Sequence, residues 1–479
     1  MAVDLDEMFA ALGRHADEIP LAPAGAARRR GRQRTRTRAL VAAAAVCLVA
    51  VGVGVTVNHH RHLNRPDTPV ATSGALPEVG SPLDFGGPVT DAIAAIAGGR
   101  VFTAWSAADG RTRLAASDLH TGAVLWSVRA PAAPGETFNH LQALPQAVVL
   151  TLARPDGDDG YTKYAFDPQD GRLRWKLAIG AGDDVVIHST GLVRASAGTG
   201  RTEAVDWVTG RQRWSVPAGA DRPVLTRGMY VPGDDDRAGA AELPTGFTDD
   251  RLVQVTATGK VQVRDATTGE LRRTVTAAAP DPDYGVHTYA AYDGMLYNSE
   301  RAGADTRGYR IRVTDLRTDQ GGSRVVLSEG AGHRMSGLVP CGPQRLCVAD
   351  SATDGRTTLA AIDAATGRRL WQATAPDNSG PVGALHGRTL VSSGQETVLL
   401  GSDGAQLFHT SYASVGWFDA ELLLIYPAAV AGSVAVLTTA NRRITALGDV
   451  PAATGGCTWT AERLACPTGT SLRIWSLTR

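Results

Sequence analysis

The sequence predicts an all-β protein: a β-propeller of about eight four-stranded blades, seven being the alternative count, preceded by one transmembrane α-helix. Three observations predict it. A block with the pattern Asp-x-x-(Thr/Asp)-Gly-x-x-x-Trp recurs five times after residue 91. Each block follows two further short alternating runs, which reads as four strands per repeat. An uncharged stretch of 19 residues, Ala39 to Val57, follows a run of arginines.

The chain has 479 residues, and its 48 basic side chains are balanced by 48 acidic ones. That balance argues against bulk nucleic-acid binding. A hydrophobic content of 43% excludes global disorder. Residues 1–38 read as a cytoplasmic tail. Leu5, Met8, Phe9 and Leu12 recur at helical spacing, so a short amphipathic helix is expected there. Residues 39–57 would span about 28 Å as a helix, close to the ~30 Å hydrocarbon core. Arg28, Arg29, Arg30, Arg32, Arg34, Arg36 and Arg38 precede this stretch with no acidic residue between them. Such a cluster stays inside, which puts residues 58–479 outside the cytoplasm. A cleaved signal peptide is the alternative, but it would have a shorter apolar core and small residues at the cleavage site. Residues 58–90 carry Pro66, Pro69, Pro77, Pro82 and Pro88 and read as an extended linker.

From residue 91 to residue 479 the pattern is strand-like. The repeated Asp falls at Asp118, Asp167, Asp206, Asp265 and Asp363. Its carboxylate can accept from backbone N–H groups two residues on, as in an Asx turn. The repeated Gly is Gly122, Gly171, Gly210, Gly269 and Gly367. A left-handed residue there closes a short hairpin with a bulge. The repeated aromatic is Trp126, Trp175, Trp214 and Trp371, with Arg273 in its place once. A large ring on the outgoing strand can fill the wedge between neighbouring sheets. Each buried Trp removes on the order of 200 Å² from water, an upper bound of roughly 5 kcal/mol. Degenerate copies lie around Asp315 and at residues 399–408, where Gly404 and Phe408 hold the turn and aromatic positions. At about 48 residues per repeat, residues 91–479 hold about eight blades. The C-terminal run from Cys457 reads as three strands that close the ring near the start of the domain.

Cys47 lies in the apolar segment. The other four cysteines form two close pairs, Cys341 with Cys347 and Cys457 with Cys466. An even count outside the cytoplasm reads as two local disulfides. Zinc is the alternative, although the spacings lack Cys-x2-Cys knuckles.

The block resembles the signature of pyrroloquinoline-quinone-like (PQQ-like, quinoprotein-type) propeller repeats. These occur in quinoprotein dehydrogenases and in the propeller lipoprotein of the outer-membrane assembly machinery. The resemblance covers residues 91–410 well and 411–479 loosely. It implies the propeller fold, and it makes the repeated Asp, Gly and Trp architectural. Family enzymes hold the quinone under a disulfide between adjacent cysteines, with calcium ligands and a catalytic Asp. This chain has no Cys-Cys dipeptide, so no catalytic or cofactor-binding residue carries over.

No Gly-x-Ser-x-Gly elbow, His-Glu-x-x-His or Walker A loop appears. Asp156, Asp158 and Asp159 could hold calcium but read as a solvated turn. Asp234, Asp235 and Asp236 read as an exposed loop, and His59, His60 and His62 as a spacer. No cofactor is expected, with PQQ or calcium as the alternatives. The expectation is a non-enzymatic binding or scaffold module held in the bilayer by one helix, with an extracytoplasmic protein or glycan as ligand. The alternatives are a transmembrane regulator whose tail binds a cytoplasmic protein, and a PQQ-dependent oxidoreductase.

Overall fold

The computed structural model describes residues 74–477, apart from 90, 133–135, 154–159, 220, 231–249, 278–288, 303–307, 320, 343, 377–379, 386, 394–395, 412, 419–420 and 428–430. The tail, the apolar segment with Cys47, the histidine triplet and the acidic runs at 156–159 and 234–236 lie outside the described residues. No helix among the described residues is long and apolar enough to cross a membrane.

The described strands fall into antiparallel four-stranded units in chain order. Eight are contiguous: residues 92–129, 137–179, 184–216, 223–276, 289–329, 333–375, 380–411 and 413–450, here blades 1 to 8. Blade 9 is the closing sheet. Thr458–Trp459, Arg463–Pro467 and Ser471–Ser476 supply three strands, and the N-terminal strand Leu83–Asp84 adds the fourth. Leu83 pairs with Leu472, and Asp84 with Ser471. Dividing length by a constant repeat leaves this ninth unit out, because it spends few residues per strand and borrows one strand from the far end of the chain. That borrowing also moves a boundary. Gly74 to Val89 are part of the propeller and not linker: Ala75 bridges Asp449, Glu78 bridges Trp475, and Val89 N–H donates to Gly469 O at 2.8 Å.

Nine buried apolar clusters hold the ring, and each joins one blade to the next. Phe102 and Leu114 of blade 1 meet Leu150 and Phe166 of blade 2. Ala147 and Val149 of blade 2 meet Leu192 and Trp207 of blade 3. Further clusters join each following pair of blades. The ninth joins Ala465 and Ile474 of blade 9 to Val101 and Trp105 of blade 1, so the ring is shut. A half-buried sheet has one apolar face, whereas these blades bury both faces. Their middle strands therefore read as continuous apolar runs, such as Val148–Ala153. The first strand of each blade lies innermost. Those of blades 4 and 5, Pro223–Tyr230 and Tyr289–Tyr292, even pair in parallel through Met229 with Ala291 and Tyr230 with Tyr292. The fourth strands lie outermost, with exposure alternating along them, as in Val124–Arg129.

Candidate functional site: the inner strands of blades 2 to 6

The repeated block builds a turn and a joint between blades. In blade 1, Asp118 Oδ1 accepts the N–H groups of His120 at 3.0 Å and Thr121 at 2.8 Å, and the Thr121 hydroxyl at 2.9 Å. Gly122 N–H returns to Asp118 O at 2.9 Å with φ +74°. The ladder slips by a residue between Ala116 and Ser117, which is the bulge such a turn requires. Asp206, Asp265 and Asp363 hold their turns in the same way. These hydrogen bonds favour the charged carboxylate. The Thr121 N–H foremost holds Asp118 below the usual range, and the Thr366 hydroxyl does the same for Asp363.

Trp and Gly of successive copies meet. Trp126 Nε1 donates to Pro168 O at 3.1 Å, Trp175 to Trp207 O at 3.0 Å, and Trp214 to Ala266 O at 3.0 Å. Each acceptor is the residue after the repeated Asp of the next blade. The turn glycine of that next blade lies on the same ring. A Cβ on Gly171 would sit 2.6 Å from Trp126, and one on Gly269 would sit 2.6 Å from Trp214. Where Trp is missing, another donor serves. Arg273 Nη1 reaches Leu316 O at 2.8 Å, and Tyr297 Oη reaches Ala364 O at 2.9 Å. Trp371 packs under Gly404, but its Nε1 has no partner among the described residues. The matching carbonyl, Ser402 O, accepts from Arg345 at 3.1 Å. Trp214 and Trp371 are buried while Trp126 and Trp175 are half-buried, so the last two fall short of the full burial figure. The Asp, Gly and Trp positions of the five copies stand in blades 1, 2, 3, 4 and 6 and, among the described residues, converge on no pocket.

Two disulfides staple hairpins. Cys341–Cys347 joins the first two strands of blade 6, with Cα atoms 5.6 Å apart, and Cys457–Cys466 joins the first two of blade 9, at 4.3 Å. All four cysteines are buried.

The side chains that break the repeat gather elsewhere. Inner strands Ala92–Ala97, Gly380–Leu385, Ala413–Trp417 and Thr458–Trp459 of blades 1, 7, 8 and 9 carry no titratable residue. Those of blades 2 to 6 do. Arg227 of blade 4 pairs with Asp184 of blade 3 at 2.6 Å, and Asp184 also accepts the Thr226 N–H at 2.6 Å. Further out in blade 5, Glu300 of the second strand pairs with Arg310 at 2.5 Å and Arg312 at 2.9 Å of the third. Between these clusters lies Tyr289, pushed up to about 12 by burial and by the Glu300 charge, against the pull of Arg227. In blade 2, Lys163 of the third strand donates through Nζ to Thr151 Oγ1 of the second at 3.0 Å and lies 5.3 Å from the Tyr161 ring centroid. Burial lowers this lysine to about 8. His140 is lowered by burial and then by the Lys163 charge. In blade 6, His333 Nδ1 lies 2.7 Å from Asp350 Oδ2. Among the described residues, no group of three His, Cys, Asp or Glu side chains is placed to hold a metal ion. The arrangement offers paired charges and aromatic rings along one arc of the ring, which is chemistry for gripping a polar partner. Sequence reasoning missed this arc. Its signal is departure from the repeat, and which departures meet depends on the register.

These features define a PQQ-like repeat propeller. The family model described as outer membrane protein assembly factor BamB matches residues 72–222 and 355–476, more than half of the chain, and the protein belongs to that family. Among solved structures, BamB from Moraxella catarrhalis shares 13% identity, covering 81% of this chain and 97% of that one, with a TM-score of 0.40. The computationally designed Ika8 protein shares 16%, covering 74% and 99%, with a TM-score of 0.42. A europium-containing methanol dehydrogenase shares 13%, covering 76% and 84%, with a TM-score of 0.40. No curated protein sequence matches the chain.

Proposed function

We propose that this protein is a membrane-anchored, extracytoplasmic binding scaffold without enzymatic activity, which grips a protein partner through the inner strands of blades 2 to 6. One observation carries the reading. The repeated residues are consumed in turns and joints, whereas charges that break the repeat pair in blades 3 to 5, Asp184 with Arg227 between two inner strands and Glu300 with Arg310 and Arg312 on the second and third strands of blade 5. The family's description as an assembly factor supports a protein ligand. Residues 1–38 would lie in the cytoplasm and 39–57 in the bilayer, with the propeller outside, as the arginine run and the uncharged stretch imply.

Two measurements test this. Protease added to intact cells should release the propeller and spare the tail; a propeller untouched until the cells are lysed refutes the orientation. Cross-linking in intact cells should trap the same protein with wild type and lose it with Arg227→Glu, provided both chains melt alike. An unchanged adduct refutes the assignment of the arc. Titration with PQQ is expected to give no binding heat, and a saturable heat would revive the oxidoreductase reading.

A further inference from the structure

The joint between blades 8 and 9 lacks the ring that its counterparts hold. Trp126, Trp175, Trp214 and Trp371 each stand third in the fourth strand of their blade. Arg273 and Phe408 hold the same place in blades 4 and 7. In blade 8 the fourth strand is Arg443–Val450, and its third residue is Thr445. Register supports the equivalence. Thr445 pairs with Val436, two residues before the end of the third strand at Thr438. Trp126 likewise pairs with Ala116, two residues before Asp118. Residues directly opposed across a ladder share a face, and Val436 belongs to the cluster that joins blade 8 to blade 9. The acceptor of the joint is still in place. Leu477 follows the third strand of blade 9 as Ala266 follows that of blade 4, and each N–H returns to the hairpin before it: Ala266 to Asp250 O at 2.6 Å, Leu477 to Glu462 O at 2.8 Å. Leu477 O therefore corresponds to Ala266 O, which takes the indole N–H of Trp214. Among the described residues no donor reaches Leu477 O.

Where the ring is missing lies a groove of about 390 Å³. Thr445, Val436 and Leu477 line it with Phe418, Leu447 and Arg443. A preformed apolar cavity of about 150 Å³ takes a benzene ring, so an indole has room here. Arg442 and Arg443 are both exposed at this end of the strand, and among the described residues neither pairs with a carboxylate. We propose that this groove docks a tryptophan side chain of a partner protein, flanked in that partner by acidic residues. The ring takes the place that Trp214 fills in the joint of blades 3 and 4, packing on Val436 and Leu477. Its N–H donates to Leu477 O, and a neighbouring carboxylate pairs with Arg443. The site lies at the outer strand of blade 8, apart from the paired charges of blades 3 to 5.

Calorimetric titration of the full chain with the acetylated, amidated peptide Gly-Asp-Trp-Asp-Gly tests this. Saturable heat is expected, and the peptide with Ala for Trp should bind at least about tenfold more weakly, as at an interface hot spot. Thr445→Trp supplies the ring from within the chain, so it should raise the melting temperature and abolish peptide binding. Arg443→Glu, at an exposed position, should weaken binding about threefold to tenfold at low salt, and the loss should shrink as salt rises. Arg227→Glu should leave peptide binding unchanged, which keeps this site and the inner-strand charges separately testable. Absence of saturable heat would overturn the proposal, as would equal binding of the Trp and Ala peptides. A Thr445→Trp chain that melts lower or still binds would show that the groove is not an indole slot. An Arg443→Glu chain that binds as wild type would overturn the acidic flank. N-acetyltryptophanamide binding as tightly as the peptide would place a small aromatic molecule there and overturn the protein partner.

Discussion

Replacing Trp214 and Trp371 by Phe separates the two parts of the interblade joint. Both rings are buried, and both lie against the turn glycine of the next blade. Truncating either to Ala should cost about 3–5 kcal/mol, the scale for a buried aromatic. Phe keeps most of the ring and removes the indole N–H. At Trp214 that deletes the 3.0 Å bond to Ala266 O and leaves a carbonyl unpaired, which costs about 1–3 kcal/mol beyond packing. At Trp371 the N–H has no partner among the described residues, so only packing changes. Trp214→Phe should therefore destabilise the propeller by about 1–3 kcal/mol more than Trp371→Phe. Urea unfolding followed by circular dichroism gives both midpoints, and unchanged m-values would show that the native and unfolded ensembles are comparable. Equal losses, within about 0.5 kcal/mol, would refute the role given to the hydrogen bond.

Other outcomes follow from the same geometry. Gly210→Ala should destabilise strongly, since φ is +66° and a Cβ would meet Trp175 at 2.5 Å; Gly110→Ala, at φ +71° with nothing within 4 Å, should cost only the backbone strain, about 1–2 kcal/mol. Paired Cys→Ser changes should cost roughly 2.4 kcal/mol for Cys341–Cys347 and 2.7 kcal/mol for Cys457–Cys466 by loop entropy, and non-reducing peptide maps should show only these two links. Asp118 and Asp363 have lowered folded pKa values, so their contribution is full above the unfolded value near 4 and is lost as pH falls through the folded value. Melting temperature should drop with acid over that window, and an Asp118→Asn/Asp363→Asn variant should show a shallower drop.

The sequence alone determined the repeat and everything local to it. Asp-x-x-Thr-Gly encodes its own turn, because the carboxylate, the backbone N–H groups and the left-handed Gly lie within five residues of each other. The disulfide pairs were legible for the same reason, since six and nine residues separate the partners. The C-terminal strands could be read as ring closers, because an open propeller leaves an apolar face bare. What lies far apart along the chain was decided only by tertiary structure. That Trp126 rests on Gly171, or that Tyr297 serves where Trp is missing, depends on how one blade seats against the next. The ninth blade, and the place of Leu83 and Asp84 within it, depend on a pairing across nearly 400 residues that no local pattern records. The charged arc is the extreme case. Asp184 and Arg227 sit on the inner strands of two blades and pair across the joint, and only ring geometry brings those strands together, because the axis is where separate repeats come closest.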